Sequence, residues 1–123
     1  MLEIHNEIFN RLVDQLTVSI YSHIPQDKEY PFIHMTNYNI ESADTDNELA
    51  FDGTMDIIAY DDGRGCKTVM EIEQNIYNAL HRYQLPDTVT YGVIDLRREY
   101  AQIVKSGDEH MALTRYRVTF ETL

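Results

Sequence analysis

The side chains best suited to chemistry are crowded into one stretch. From Glu41 to Asp62 the chain places eight carboxylates (Glu41, Asp44, Asp46, Glu48, Asp52, Asp56, Asp61 and Asp62) without a single Lys or Arg. Asp44, Asp46 and Glu48 imitate the first half of a calcium loop, but Leu49 stands where the sharp turn wants Gly and Met55 where a bidentate Glu belongs, so no metal site is expected. Gly63, Arg64, Gly65, Cys66, Lys67 and Thr68 lie between an extended segment and a helical one, where a phosphate-binding loop would sit. Cys66 replaces the Gly before Lys, however, and Asp61 the first Gly, which would aim a carboxylate at a phosphate. The alternative use of this segment is a strand-to-helix turn, with glycines giving backbone freedom and Asp61 or Asp62 stabilising the positive helix end. His5, His23, His34, His81 and His110 are scattered, with no pair at zinc-ligand spacing. Ser19, Ser22, Ser42 and Ser106 lack a nucleophile-elbow context, and Cys66 has no sequence-adjacent His. No catalytic residue, cofactor or metal is expected from these patterns.

Charge is divided unevenly along the chain. Residues 1 to 63 hold 13 acidic and 2 basic side chains, residues 64 to 123 hold 8 of each, and the net charge is −11. An acidic segment beside a half that carries Arg97, Arg98, Lys105, Arg115 and Arg117 suits a subunit that meets copies of itself or other proteins through complementary surfaces. The plainer alternative is a set of solvated faces that keep a small domain soluble. Sequence-reading nucleic-acid binding is not expected, because phosphate affinity needs clustered Lys and Arg. A length of 123 residues with 43% hydrophobic side chains fits one core and one domain, 1–123. Glu3, Glu7, Arg11 and Asp14 break any signal-peptide apolar region, and no run approaches the roughly 18 apolar residues of a membrane span. With its single cysteine, the chain reads as a soluble intracellular product.

These side chains need elements to position them. Ile4, Ile8, Phe9, Leu12, Val13 and Leu16 mark an amphipathic helix over 2–16. Val18, Ile20 and Tyr21 favour extended chain, and Pro25 and Pro31 keep Ile24 and Tyr30 out of the helical region. Strands are predicted at 31–41 and 48–60, the second with Leu49, Phe51, Met55, Ile57 and Ala59 on one face and Glu48, Asp52, Asp56 and Tyr60 on the other. The segment from Ser42 to Asn47 becomes the loop of that hairpin. Val69, Ile72, Ile76, Ala79, Leu80 and Tyr83 stripe a second helix over 66–83, closed by Pro86, and strands at about 88–100 and 111–122 flank a turn at Ser106, Gly107 and Asp108; in the last, Tyr116, Val118 and Phe120 alternate with Arg115, Arg117, Thr119 and Glu121, giving one buried and one polar side. The expectation is an α+β domain: an antiparallel sheet of about four strands with two helices packed on one face, in the order α-β-β-α-β-β.

Several segments in this order carry a resemblance. They are Tyr21 with Ile24-Pro25; Tyr30-Pro31-Phe32-Ile33; the strand end Ile57-Ile58-Ala59-Tyr60-Asp61; Ile76-Tyr77-Asn78-Ala79-Leu80-His81; and a last strand with Arg115 and Arg117. Together, over nearly the whole chain, they resemble the tail-completion or tail-terminator proteins of long-tailed bacteriophages and related gene transfer agents. One position departs: that family often has an aromatic followed by Ser at the strand end, where this chain has Tyr60 followed by Asp61. The resemblance implies a non-enzymatic virion protein that forms a homo-oligomeric, typically six-fold ring. It would cap the head-proximal end of the tail tube, stop tail polymerisation and enable head-tail joining. The implied partners are the major tail tube protein and a head-tail connector or adaptor, with DNA passing through the channel without specific binding and no membrane. The implied setting is the bacterial cytoplasm during assembly and then the particle. Within such a ring, Glu41, Asp44, Asp46, Glu48, Asp52, Asp56, Arg97, Arg98, Arg115 and Arg117 are the candidate subunit-contact or channel-facing residues. Another neck or adaptor protein is the neighbouring alternative, and a phosphate-ligand domain using the turn from Gly63 to Thr68 is the more distant one.

Overall fold

The computed structural model describes residues 1–42 and 50–123. Two helices, α1 (Leu2–Gln15) and α2 (Lys67–Leu80), accompany five strands: β1 (Ser19–Tyr21), β2 (Phe32–Ser42), β3 (Ala50–Asp61), β4 (Tyr91–Ser106) and β5 (Glu109–Thr122). The sheet order is β1-β2-β3-β5-β4. Among the described residues no helix is long and apolar enough to cross a membrane.

Period decides the helices and packing holds them. Ile4, Ile8 and Leu12 of α1, with Val69, Ile72, Ile76, Ala79 and Leu80 of α2, are buried. They join one cluster with Ile33, Met35, Met55, Ile57, Ala59, Ala112, Tyr116, Val118 and Phe120. Those strand positions fall on the same face, because Ile33 faces Ala59, Ala59 faces Ala112, Met55 faces Tyr116 and Phe51 faces Phe120 across the ladders. Both helices therefore cover one side of the sheet. Neither has a side-chain N-cap bond, a contribution of about 1 kcal/mol where it exists. Burying each large apolar side chain contributes about 1.5–3 kcal/mol, so the core outweighs the missing caps. Arg11 of α1 adds a tie to α2: its Nε donates to the Ala79 carbonyl at 3.0 Å and its guanidinium lies 3.7 Å from the Tyr83 ring centroid.

The sheet corrects the four-strand antiparallel expectation. It has five strands in the order α-β-β-β-α-β-β, and β1 pairs parallel with β2, Ile20 opposite Ile33. Three residues are too few to show a period, which is why β1 reads only as extended chain. The connection of residues 22–31 returns to the end where β1 began, so β2 re-enters in the same direction. Further along, α2 stops at Leu80, short of the predicted Tyr83, because His81 is extended and Arg82 adopts φ 62°. That turn lets Arg82 N–H donate to the Leu96 carbonyl at 2.8 Å. Strand β4 starts later and runs longer than expected. Thr88 to Tyr91 forms a turn closed by Thr88 N to Tyr91 O and by Tyr91 N to Thr88 Oγ1, each 2.8 Å, and nothing between Tyr100 and Ser106 interrupts pairing before Gly107, at φ 61°.

Candidate functional site

The sheet face away from the helices collects most of the predicted site. On β3, Asp52 and Asp56 point outward; opposite them on β5 stand Thr119 and Arg115, with Arg117 between. An acidic row on β3 thus faces a basic row on β5, and these cross-strand neighbours are bonded. Arg115 Nε donates to Asp56 Oδ1 at 3.0 Å, and Asn37 Nδ2 on β2 donates to Asp56 Oδ2 at 2.9 Å. Asp52 accepts from Thr119 Oγ1 at 2.7 Å and lies 3.8 Å from Arg117 Nη1. Arg117 also binds Glu99. Arg97 faces Arg117 across the ladder, and the like charges are separated by acids: Asp95 lies 3.4 Å from Arg97 and 2.7 Å from Arg82. The hydrogen bond to Asp56 holds the Arg115 guanidinium charged beyond its ordinary range, and the one to Glu99 does the same for Arg117.

Of the ten candidates, Asp52, Asp56, Arg115, Arg117 and Arg97 share this face. Glu41 stands opposite Asp52 and is exposed. Arg98 is on the helix-covered side, opposite Tyr116; it pairs with Glu73 of α2 and lies 4.4 Å from the Tyr77 ring centroid. Asp44, Asp46 and Glu48, with Leu49 and most of the predicted hairpin loop, lie outside the described residues. The partners that sequence reading missed are Asn37, Glu73, Asp95 and Glu99. Alternation of Arg115, Arg117 and Thr119 signalled one polar side of β5, but pairing them with Asp56 and Asp52 requires knowing that β5 lies next to β3.

The outer face has an aromatic end as well. Phe32 points outward yet is only 1% exposed, because Tyr60, Tyr30 and Tyr21 surround it with ring centroids 4.9, 5.2 and 5.9 Å away. The peptide before Pro31 is cis. Tyr30 reaches across the sheet and donates its hydroxyl to Glu109 Oε2 at 2.7 Å, a bond that pushes its pKa up to about 12.

The turn from Gly63 to Thr68 is built as a strand-to-helix junction. Gly63 N–H donates to Asp61 Oδ2 at 3.3 Å, so this carboxylate closes its own turn and leaves the α2 end, against expectation, without a side-chain cap. Lys67 lies 3.9 Å from Glu71, one turn along α2. A hollow of about 600 Å³ beside the turn is lined by Asp62, Gly63, Arg64, Lys105, Asp108 and His110, a set without Lys67 and with two carboxylates. Another, of about 300 Å³, lies among Met1, Leu2, His5, Ser22 and Tyr38. There Tyr38 Oη and His5 Nδ1 are 2.5 Å apart and Ser22 Oγ is 3.4 Å from His5 Nε2. Burial lowers the His5 pKa and pushes that of Tyr38 up to about 12. Among the described residues no three His, Cys, Asp or Glu side chains converge as an ion-binding group.

No family model matches the chain, and no curated protein matches it. Its fold is similar to that of a solved chain from the virion of a native gene transfer agent particle, with a TM-score of 0.79 and 14% identity, over 93% of this chain and 91% of that one.

Proposed function

We infer that this chain is a structural protein of a bacteriophage-like or gene transfer agent particle, and within that class a ring-forming subunit that ends the tail tube on its head-proximal side and offers a surface for head-tail joining. The observation that carries this reading is the fold similarity to a gene transfer agent virion chain over 93% of this chain's length. The segments around Ile24-Pro25, Tyr30 to Ile33 and Ala79 to His81 add the resemblance to tail terminators. The open face of the sheet adds a physical reason: its charges are paired within the chain and set in rows, a surface that suits contact with other proteins. The chain works by shape and charge and carries out no reaction. Its partners in this reading are further copies of itself, the tail tube protein and a neck protein, met in the cytoplasm and kept in the particle.

A ring closes when one surface of a subunit fits a different surface of its neighbour. The candidates for that contact, or for the channel wall, are Glu41, Asp44, Asp46, Glu48, Asp52 and Asp56 on one side and Arg97, Arg98, Arg115 and Arg117 on the other. Arg98 is committed to Glu73, so Arg97, with about half of its side chain exposed, is the cleaner probe. Purified protein mixed with tail tubes of its own particle and viewed by electron microscopy should show rings at one tube end and tubes that no longer lengthen. Binding to neck components without tube capping would instead support an adaptor. Arg97→Glu should weaken ring formation at low salt; unchanged assembly would remove this charge from the interface.

A further inference from the structure

The two edges of the sheet are guarded differently. At the β2 edge, β1 covers Phe32 to His34, and a register shift between Thr36 and Asn39 with Asn37 at φ 55° breaks the row of backbone groups beyond it. Bulges of this kind keep an edge from accepting a foreign strand. The first half of the β4 edge is also covered. Gln84 Nε2 donates to Val93 O at 3.0 Å, Arg82 N to Leu96 O at 2.8 Å, and Arg98 N to His81 Nδ1 at 3.2 Å. From Tyr100 to Ser106 the described residues supply no such partner, although the stretch pairs regularly with β5 on its other side. This open run holds no Pro and no charge from Tyr100 to Val104, and Tyr100 and Ile103 are 44% and 40% exposed.

We propose that this half of β4 is a docking edge for a second copy of the chain, the two β4 strands pairing antiparallel about a two-fold axis at Gln102. The sequence Glu99-Tyr100-Ala101-Gln102-Ile103-Val104-Lys105 is complementary to its own reverse. Gln102 meets the partner's Gln102, Ala101 the partner's Ile103, and Tyr100 the partner's Val104. These pairs keep to their faces: Tyr100, Gln102 and Val104 stand opposite Arg115, Leu113 and Met111, and Ala101 and Ile103 opposite Thr114 and Ala112. Both exposed apolar side chains thereby gain an apolar neighbour. Glu99, which also pairs with Arg117 of its own chain, and Lys105 bracket the run, so antiparallel docking brings unlike charges towards each other at both ends, whereas parallel docking in register would oppose like charges. Beyond its bulge the β2 edge keeps, among the described residues, only the shorter row from Asn39 to Ser42, which favours the isologous contact over head-to-tail edge pairing. A two-fold contact does not close a six-fold ring, so this surface joins a subunit to a copy outside its own ring or in the free pool. It does not rest on the ring reading.

Single-cysteine chains in a Cys66→Ser background test it. Directly opposite strand positions have Cβ atoms about 4.5–5.5 Å apart, within reach of a disulfide after small adjustment. Mild oxidation of the Gln102→Cys chain should therefore give a covalent dimer, and an Asn6→Cys control on α1 should not. Sedimentation of the unmodified chain should show a concentration-dependent dimer, weakened at least about tenfold by Ile103→Lys, a loss of about 1.4 kcal/mol. A wild-type chain that stays monomeric at high concentration, self-association unweakened by Ile103→Lys, or Gln102→Cys chains that fail to cross-link would each overturn the proposal. Tube capping unaffected by Ile103→Lys would leave the ring reading standing; a dimer that caps no tube would do the reverse.

Discussion

The two faces of the sheet solve opposite problems with the same five strands. On the helix-covered face Ile33, Met55, Ile57, Tyr116 and Val118 are fully buried, and stability there comes from removing apolar surface from water. On the open face Asp52, Asp56, Arg115 and Arg117 stay in partial contact with solvent, where ion pairs contribute little net stability but define a pattern of charge. The covered face makes the fold, and the open face leaves a surface whose identity can change at small cost to it.

Mutations can press on that division. Ile57→Ala, which empties a fully buried position, should cost about 2–5 kcal/mol in denaturant unfolding; a cost below 1 kcal/mol would mean that the covered face is not the core. Asp56→Asn, across the sheet from Arg115, should cost less, and the loss should shrink as salt is added. A salt-independent loss as large as that of Ile57→Ala would erase the contrast. The rim between α1 and β2 gives a pH signature. Burial holds the His5 ring below its ordinary 6.5, so the fold favours the neutral form. Stability present above that pH is lost as pH falls through it towards the folded value. Thermal melts from pH 8 to pH 5 should show this fall, with a shallower slope in His5→Asn. The smallest effect belongs to Tyr116→Phe, because the Tyr116 hydroxyl is buried with no hydrogen-bond partner among the described residues. Removing it should change stability by no more than about 0.5 kcal/mol or raise it.

Period makes the covered face legible in the sequence. Ile4, Ile8 and Leu12 recur at helical spacing and Tyr116, Val118 and Phe120 at strand spacing, and each set buries its stripe as expected. The open face was legible only in part. The outward side of Asp52, Asp56, Arg115 and Arg117 follows from alternation, but their mutual pairing follows from β5 lying between β3 and β4, a non-local fact that no local period encodes. The same limit hid β1, and it hid Arg98, whose place opposite Tyr116 depends on register shifts in β4 on either side of it, between Val93 and Asp95 and between Arg98 and Tyr100. Phe32 was misleading in a different way, since an outward residue is buried by Tyr30 from the connection before it together with Tyr60 on β3.

That connection carries one more consequence. Through Tyr30 and Glu109, 79 positions apart in the chain, the segment that follows β1 is latched to the tip of the longest hairpin. Loosening either end releases the other, so amide exchange at the hairpin tip and in the segment before Pro31 should slow or quicken together. A force applied to one would meet the stiffness of both.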